Sequence, residues 1–190
     1  MKIFFDTEFT GLCKNTTLIS IGCVDEDGKT FYAELNDYAT CQCNEWIKDN
    51  VIANLTWEGR HDSQRVYFNN NGDVSMLGDK QFVAEKFAEW LSRYDSVQLV
   101  SDVCHYDMVL LIDLFGSAFD LPKNVSPVCH DICQDIAVHY GMTDYEAFDT
   151  YREGLLAEPI KGNKHNALYD AKVIRQIYKQ MIPTLVQSQN

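Results

Sequence analysis

Three apolar runs follow one another at the start of this chain, and they limit its architecture more than any other feature. Lys2 to Asp6 and Leu18 to Val24 are rich in Ile, Phe, Val and Leu, and Thr30 to Leu35 alternates apolar with polar positions. β-Branched and aromatic residues in such runs predict strands, and the turn Asp25-Glu26-Asp27-Gly28 joins the last two as a hairpin. Helical periodicity then takes over. Asn44 to Leu55 reads as a short helix with Asn44 as N-cap and Trp46, Ile47, Val51 and Leu55 as its apolar stripe. Asp79 caps an amphipathic helix that carries Phe82, Val83, Phe87, Trp90 and Leu91, and Val97 to Ser101 is a fourth, buried strand. Asp107 to Phe115 is a helix stopped by Gly116, and Cys129 to Tyr140 is another closed by Gly141. The last helix opens near Asn166 and runs to about Gln180, with Ala167, Ala171, Ile174, Ile177 and Tyr178 on one face and Pro183 ending it. Strands first, with helices after and between them, predict an α/β fold: a mixed β-sheet flanked by helices.

Two stretches are harder to read. Thr56 to Gly78 is polar and turn-rich, a long excursion or an irregular hairpin, and Thr143 to Asn163 is a linker with partial helical character. With 190 residues, 46% of them apolar, the chain can bury one sizeable core, so a single domain over residues 1–190 is expected. Met1-Lys2-Ile3-Phe4-Phe5 leads straight into an acidic residue, without a basic n-region or a long apolar h-region, so no signal peptide is expected. No apolar run approaches the roughly 18 residues of a membrane span. Seven scattered cysteines in a chain of this length point to reduced thiols and a soluble, cytoplasmic protein. Cys41-Gln42-Cys43 and Cys129 with Cys133 lack the C-x2-C and H-x3-H spacing of structural zinc modules, and Cys129 and Cys133 sit four apart in the expected helix.

The formal charge of −12 runs against a protein that grips long nucleic acid by releasing counterions. It is compatible with a short substrate footprint if some carboxylates hold divalent cations, which then supply the positive charge. Asp6 and Glu8 stand two apart near the end of a strand, so their side chains leave the same face and can converge. Their mutual repulsion is relieved either by solvent or by a hard cation with oxygen ligands. Among 28 acidic residues such a pair alone is also read as a solvated strand end. Gly11 follows closely and lets backbone approach a ligand.

His165 and Asp170 form a second constellation. Five residues advance a helix by about 500°, so the two cannot share one helical face, and His165 belongs on the preceding loop. An imidazole beside a helix-borne carboxylate suits a general base for a metal-activated water. The residues alone equally accommodate a polar turn histidine and an aspartate favoured near a helix N-terminus. A third constellation lies where Val97 to Ser101 runs into the next helix, with Asp102 and Asp107 at the two ends of the junction. Asp107 is the preferred candidate and Asp102 the reserve.

Together these segments resemble a known family. Asp6-Thr7-Glu8-Phe9-Thr10-Gly11-Leu12 matches the D-x-E-x-T-G-L motif, Tyr106-Asp107-Met108-Val109-Leu110-Leu111 resembles an aromatic-Asp second motif, and His165-Asn166-Ala167-Leu168-Tyr169-Asp170-Ala171 matches H-x-A-x-x-D-A. These are the motifs of the DEDDh 3′→5′ exonucleases, the RNase H-like branch that includes RNase T, oligoribonuclease and proofreading subunits. Within it the chain looks closest to small single-domain exoribonucleases of bacteria and phages. The resemblance implies an RNase H-like fold and two Mg2+ or Mn2+ ions per active site. Asp6 would bridge both ions, Glu8 and Asp170 would hold one, Asp107 would support the other, and His165 would be the base. Thr7, Phe9, Thr10 and Leu12 become substrate-binding candidates, with Thr10 and Leu12 at the 3′-terminal nucleotide. The implied substrate is the 3′ end of single-stranded RNA, with DNA as the alternative polymer. A catalytically silent relative that binds nucleic acid or protein is the alternative of a different class.

The family often carries Asn four residues before the second-motif Asp, in a His-Asn stretch. Here Asp102 and Val103 stand at those positions. Small members are often homodimers, which makes the Thr56 to Gly78 excursion a candidate for dimer contact or substrate cover. Trp46 and Trp90 read as core and Trp57 as the tryptophan best placed to stack a base. Arg60, Arg65, Lys161 and Lys164 are candidate phosphate contacts or solvated charges. His105, His130 and His139 read as structural.

Overall fold

The computed structural model describes residues 1–57, 64–69 and 71–187, with backbone alone over 182–187. A seven-stranded mixed sheet is built on β1 (Lys2–Phe9), which pairs antiparallel with β2 (Leu18–Asp25) and parallel with β6 (Gln98–Ser101). β3 (Thr30–Leu35) continues from β2 as the expected hairpin, and β5 (Val74–Gly78) adds parallel to β3. β4 (Arg65–Phe68) and the two-residue β7 (His130–Asp131) form the edges, giving the order β4-β5-β3-β2-β1-β6-β7. The Thr56 to Gly78 excursion therefore contains an antiparallel pair, β4 with β5. Arg60 and His61 lie outside the described residues.

Among the described residues the α-helices are α1 (Glu45–Asn50), α2 (Lys80–Leu91), α3 (His105–Phe115), α4 (Ile132–Tyr140), α5 (Asp144–Asp149) and α6 (Ala167–Gln187). Caps set their starts. Asn44 accepts from the Ile47 amide, Asp79 from Phe82 and Asp131 from Cys133. Because Asp131 is the cap, α4 begins at Ile132, and Cys129 lies ahead of β7 rather than in the expected helix. Thr143 and Glu146 form a reciprocal capping box that starts α5 inside the expected linker. Pro183 does not end α6, which continues to Gln187; proline's fixed φ is helical, and it forfeits one backbone hydrogen bond. Among the described residues no helix is long and apolar enough to cross a membrane.

Strand alternation divides the core between the two faces of the sheet. Ile3 and Phe5 point to the face covered by Val83, Phe87, Trp90 and Leu111 of α2 and α3. Phe4 points to the other, against Ile132 and Ile136 of α4 and Ala171, Ile174 and Ile177 of α6. The same period sends Asp6 and Glu8 to the α6 face. Their partners across β2 are Gly22 and Ser20, small residues that let the start of α6 come close.

Gly22 has no room for a side chain, because a Cβ there would overlap the backbone of Ala167 and Leu168. Gly22→Ala should therefore push the first turn of α6 off the sheet and cost about 3 kcal/mol or more. Thermal denaturation measures this, and a melting temperature within a degree or so of wild type would refute the close approach.

Candidate active site

One cleft of about 850 Å³ opens above the end of β1, where Asp6 and Glu8 meet Asp107 from α3, Asp170 from α6 and His165 from the preceding loop. Glu8, His165 and Asp170 bring ligand atoms within 4.8 Å of one another. Two hard carboxylates and an imidazole at that separation, with Asp6 beside them, are a donor set suited to a divalent cation.

Each carboxylate is held by a different element. Asp107, in the first turn of α3, is buried and accepts from the Thr7 amide at 2.9 Å and the Thr7 hydroxyl at 2.6 Å, with Ser101 Oγ at 3.3 Å. Asp170 accepts from the backbone N–H of His165 at 2.8 Å, which fixes the loop to the helix it precedes. That loop turns through a left-handed residue, since His165 has φ 63°. The imidazole meets the Trp46 ring edge-on at 5.0 Å. His165 thus stands off the helix, as the five-residue spacing required.

The site is electrostatically overloaded. The Asp6 carboxyl is pushed well above its usual range, first by loss of water and then by Asp107, Asp170, Glu8 and Asp102. Glu8 rises to about 8, from burial and then from Asp170 and Asp107. Asp170 rises to about 7, mainly from burial, against the favourable N–H of His165. Asp107 rises only to about 6, because the hydrogen bonds from Thr7 and Ser101 offset part of its burial. His165 moves the other way, lowered by burial and by Lys164, so it is neutral and able to accept a proton at neutral pH.

Asp102 is engaged elsewhere. It forms a two-pronged ion pair with Arg152, Nε to Oδ2 at 2.5 Å and Nη2 to Oδ1 at 2.9 Å. The junction itself is braced by Asp131, which accepts from the amides of Val103 at 2.9 Å and Cys104 at 3.2 Å. Val103 adopts φ 52° there. Of the two sequence candidates, Asp107 joins the cluster and Asp102 is tied to Arg152 on its rim.

The motif residues beside the carboxylates divide between cleft and scaffold. Leu12 is 79% exposed on the rim, and Phe9 lines the cleft, stacked on Tyr106 at 5.3 Å. The Thr7 hydroxyl is engaged by Asp107. Thr10 is buried and does not line the cleft; its hydroxyl donates to Gln42 and accepts from the Thr17 amide, which shapes the Gly11 turn. Trp46, expected in the core, is 51% exposed and lines the cleft, because the six-residue α1 has little interior stripe. Trp90 is buried as expected, while the Trp57 indole N–H donates to Ser75 Oγ on β5, away from the cleft. Lys164 lines the cleft, whereas Arg65 and Lys161 are exposed elsewhere. His130 lies apart and pairs with Asp135 at 2.6 Å. Sequence reasoning missed Phe148, Tyr151, Arg152 and Glu153, which line the cleft from the presumed linker. The pattern Thr143-x-x-Glu146 was the local signal for structure there.

Among solved structures, the nuclease domain of 3′hExo, a DEDDh family member bound to rAMP, superposes with TM-score 0.66 at 14% identity, over 96% of this chain and 92% of that one. The Neurospora crassa Pan2 catalytic unit gives TM-score 0.58 at 14% identity, over 98% of this chain and 28% of that one. Both share the fold, a mixed sheet flanked by helices. The 3′-5′ exoribonuclease Rv2179c of Mycobacterium tuberculosis (strain ATCC 25618 / H37Rv) is 28% identical over 140 residues, which cover 70% of this chain and 73% of that protein. A family model described as the 3′-5′ exoribonuclease Rv2179c-like domain matches residues 1–182. The chain belongs to the 3′-5′ exoribonuclease Rv2179c-like family.

Proposed function

We propose that residues 1–190 form one exonuclease domain that removes nucleoside 5′-monophosphates one at a time from the 3′ end of single-stranded RNA. The observation that carries this reading is the convergence of Asp6, Glu8, Asp107 and Asp170 with a neutral His165 in one cleft. Preference for RNA over DNA rests on the exoribonuclease names of the family and the curated relative.

Asp6, Glu8, Asp107 and Asp170 would hold two Mg2+ or Mn2+ ions. Bound there, such cations polarise the phosphate, offset its charge and make a nearby water more acidic. The protein's own groups do the rest. His165 takes the proton of the attacking water at a ring nitrogen, and its position is fixed by its backbone N–H on Asp170 and by the Trp46 edge. Water adds to the phosphorus as the P–O3′ bond breaks with its electron pair going to O3′, which takes a proton from solvent; the products are a 5′-monophosphate and a shortened strand with a free 3′-hydroxyl. Leu12 on the rim and Phe9 on the cleft wall give the terminal nucleotide an apolar seat.

The test incubates the purified protein with 5′-labelled RNA and DNA of equal sequence in Mg2+, Mn2+ or EDTA. A one-nucleotide ladder on RNA, abolished by EDTA, is expected. Cleavage of DNA in preference to RNA would make it an exodeoxyribonuclease, and binding without cleavage would make it a silent relative.

A further inference from the structure

Two exposed aromatic rings line the cleft on a braced arm. Phe148 is 57% exposed and Tyr151 is 65% exposed. They stand on α5 and at the start of the short 3-10 turn Arg152–Leu155. The arm is not loosely placed. Ala147 is fully buried beneath it, the Thr143 and Glu146 capping box starts it, and Arg152 donates to the carbonyls of Ala147 at 2.6 Å and Thr150 at 2.7 Å. The same guanidinium pairs with Asp102, which locks the arm to the rim of the carboxylate site. Phe148 has no ring partner among the described residues, and the Tyr151 ring carries the Lys164 ammonium at 5.6 Å.

Charge makes these rings informative. The described lining residues include seven carboxylates but two cations, and of these Arg152 is committed to Asp102. A polyanionic strand cannot be held here mainly by lysine and arginine contacts to its backbone. Base faces offer the other source of affinity, since stacking on an aromatic ring contributes for any base. Lys164 over Tyr151 adds one cation where a strand phosphate would pass.

Two segments build different walls. The turn that carries Leu12 is tied through the Gly11 amide to Thr16 and through Thr10 to Gln42. The arm is tied to Asp102 and Lys164. We propose that Phe148 and Tyr151 are a stacking subsite for the nucleobases on the 5′ side of the scissile phosphate, while the Leu12 wall takes the terminal nucleotide. This rests on the exoribonuclease reading and adds its grip on the substrate. The subsite takes single strands of any sequence and rejects duplex, whose base faces are covered.

The experiment compares a dinucleotide and a pentanucleotide RNA with wild type, the double variant Phe148→Ala/Tyr151→Ala, Tyr151→Phe, and Tyr145→Ala. Tyr145 is equally exposed on α5 but does not line the cleft, so its variant controls for loss of surface ring area. The double variant should raise KM for the pentanucleotide about tenfold or more. Its loss on the dinucleotide should be several-fold smaller, and Tyr151→Phe should restore wild-type KM. Equal losses at both lengths, or no loss at either, would overturn the subsite. If wild type cuts none of these RNAs, the exoribonuclease reading fails. Fluorescence anisotropy with the same pentanucleotide then decides the subsite: weaker binding by the double variant supports it, and equal binding overturns it.

Discussion

Asp6→Asn will leave a well-folded protein that cuts RNA on the order of 10³-fold more slowly, or worse. Asp6 sits in the central strand, and its carboxyl feels four other carboxylates, those of Asp107, Asp170, Glu8 and Asp102. An amide of the same shape removes the charge that a divalent cation needs and keeps the packing. It also removes a source of repulsion, so without metal the variant should melt no lower than wild type, and by the sign of the repulsion somewhat higher. Activity and stability then move in opposite directions, as expected for a strained functional group. Single-turnover cleavage and thermal denaturation of one preparation measure both. If activity persists, or if activity and melting temperature fall together, Asp6 is a structural residue.

The second large effect is an inverted dependence of stability on pH. Glu8, Asp170 and Asp107 rise to about 8, 7 and 6 in the folded chain, against ordinary carboxylate values of 4.5 and 3.8. Folded-state values above the unfolded ones mean that the folded chain holds more protons through this window. Stability is therefore fully present below the ordinary carboxylate range and is lost as pH rises through the folded values. The three carboxyls share one site and titrate as a set. Metal-free protein should lose several kcal/mol between roughly pH 5 and pH 8. A divalent cation binds the deprotonated set and releases its protons. The rise in melting temperature on adding Mg2+ or Mn2+ should accordingly be larger at the upper end of this window than at the lower. Metal-free stability that increases across the window would contradict the buried, mutually repelling cluster.

Local patterns made much of this legible. The alternation in β1 set Asp6 and Glu8 on one face, the caps Asn44 and Asp79 act where the sequence placed them, and the five-residue gap put His165 off α6. What the local pattern left open or misplaced is non-local. β5 is a strand because it pairs in parallel with β3, across some 40 intervening residues, and nothing in Val74–Gly78 alone declares that partner. Trp46 obeyed a helical period, but α1 ends after six residues and leaves the ring on the cleft. The choice between Asp102 and Asp107 turned on Arg152, 50 residues beyond Asp102, in a segment read as linker. That ion pair ties the arm to the strand-to-helix junction beside the carboxylates.

The most direct test is a crystal of the protein grown or soaked with Mn2+ and measured for anomalous scattering. The account predicts two anomalous peaks in the cleft, bounded by Asp6, Glu8, Asp107 and Asp170, with His165 beside them. Peaks at other carboxylates, or a cleft that stays free of Mn2+ at saturating concentration, would contradict it.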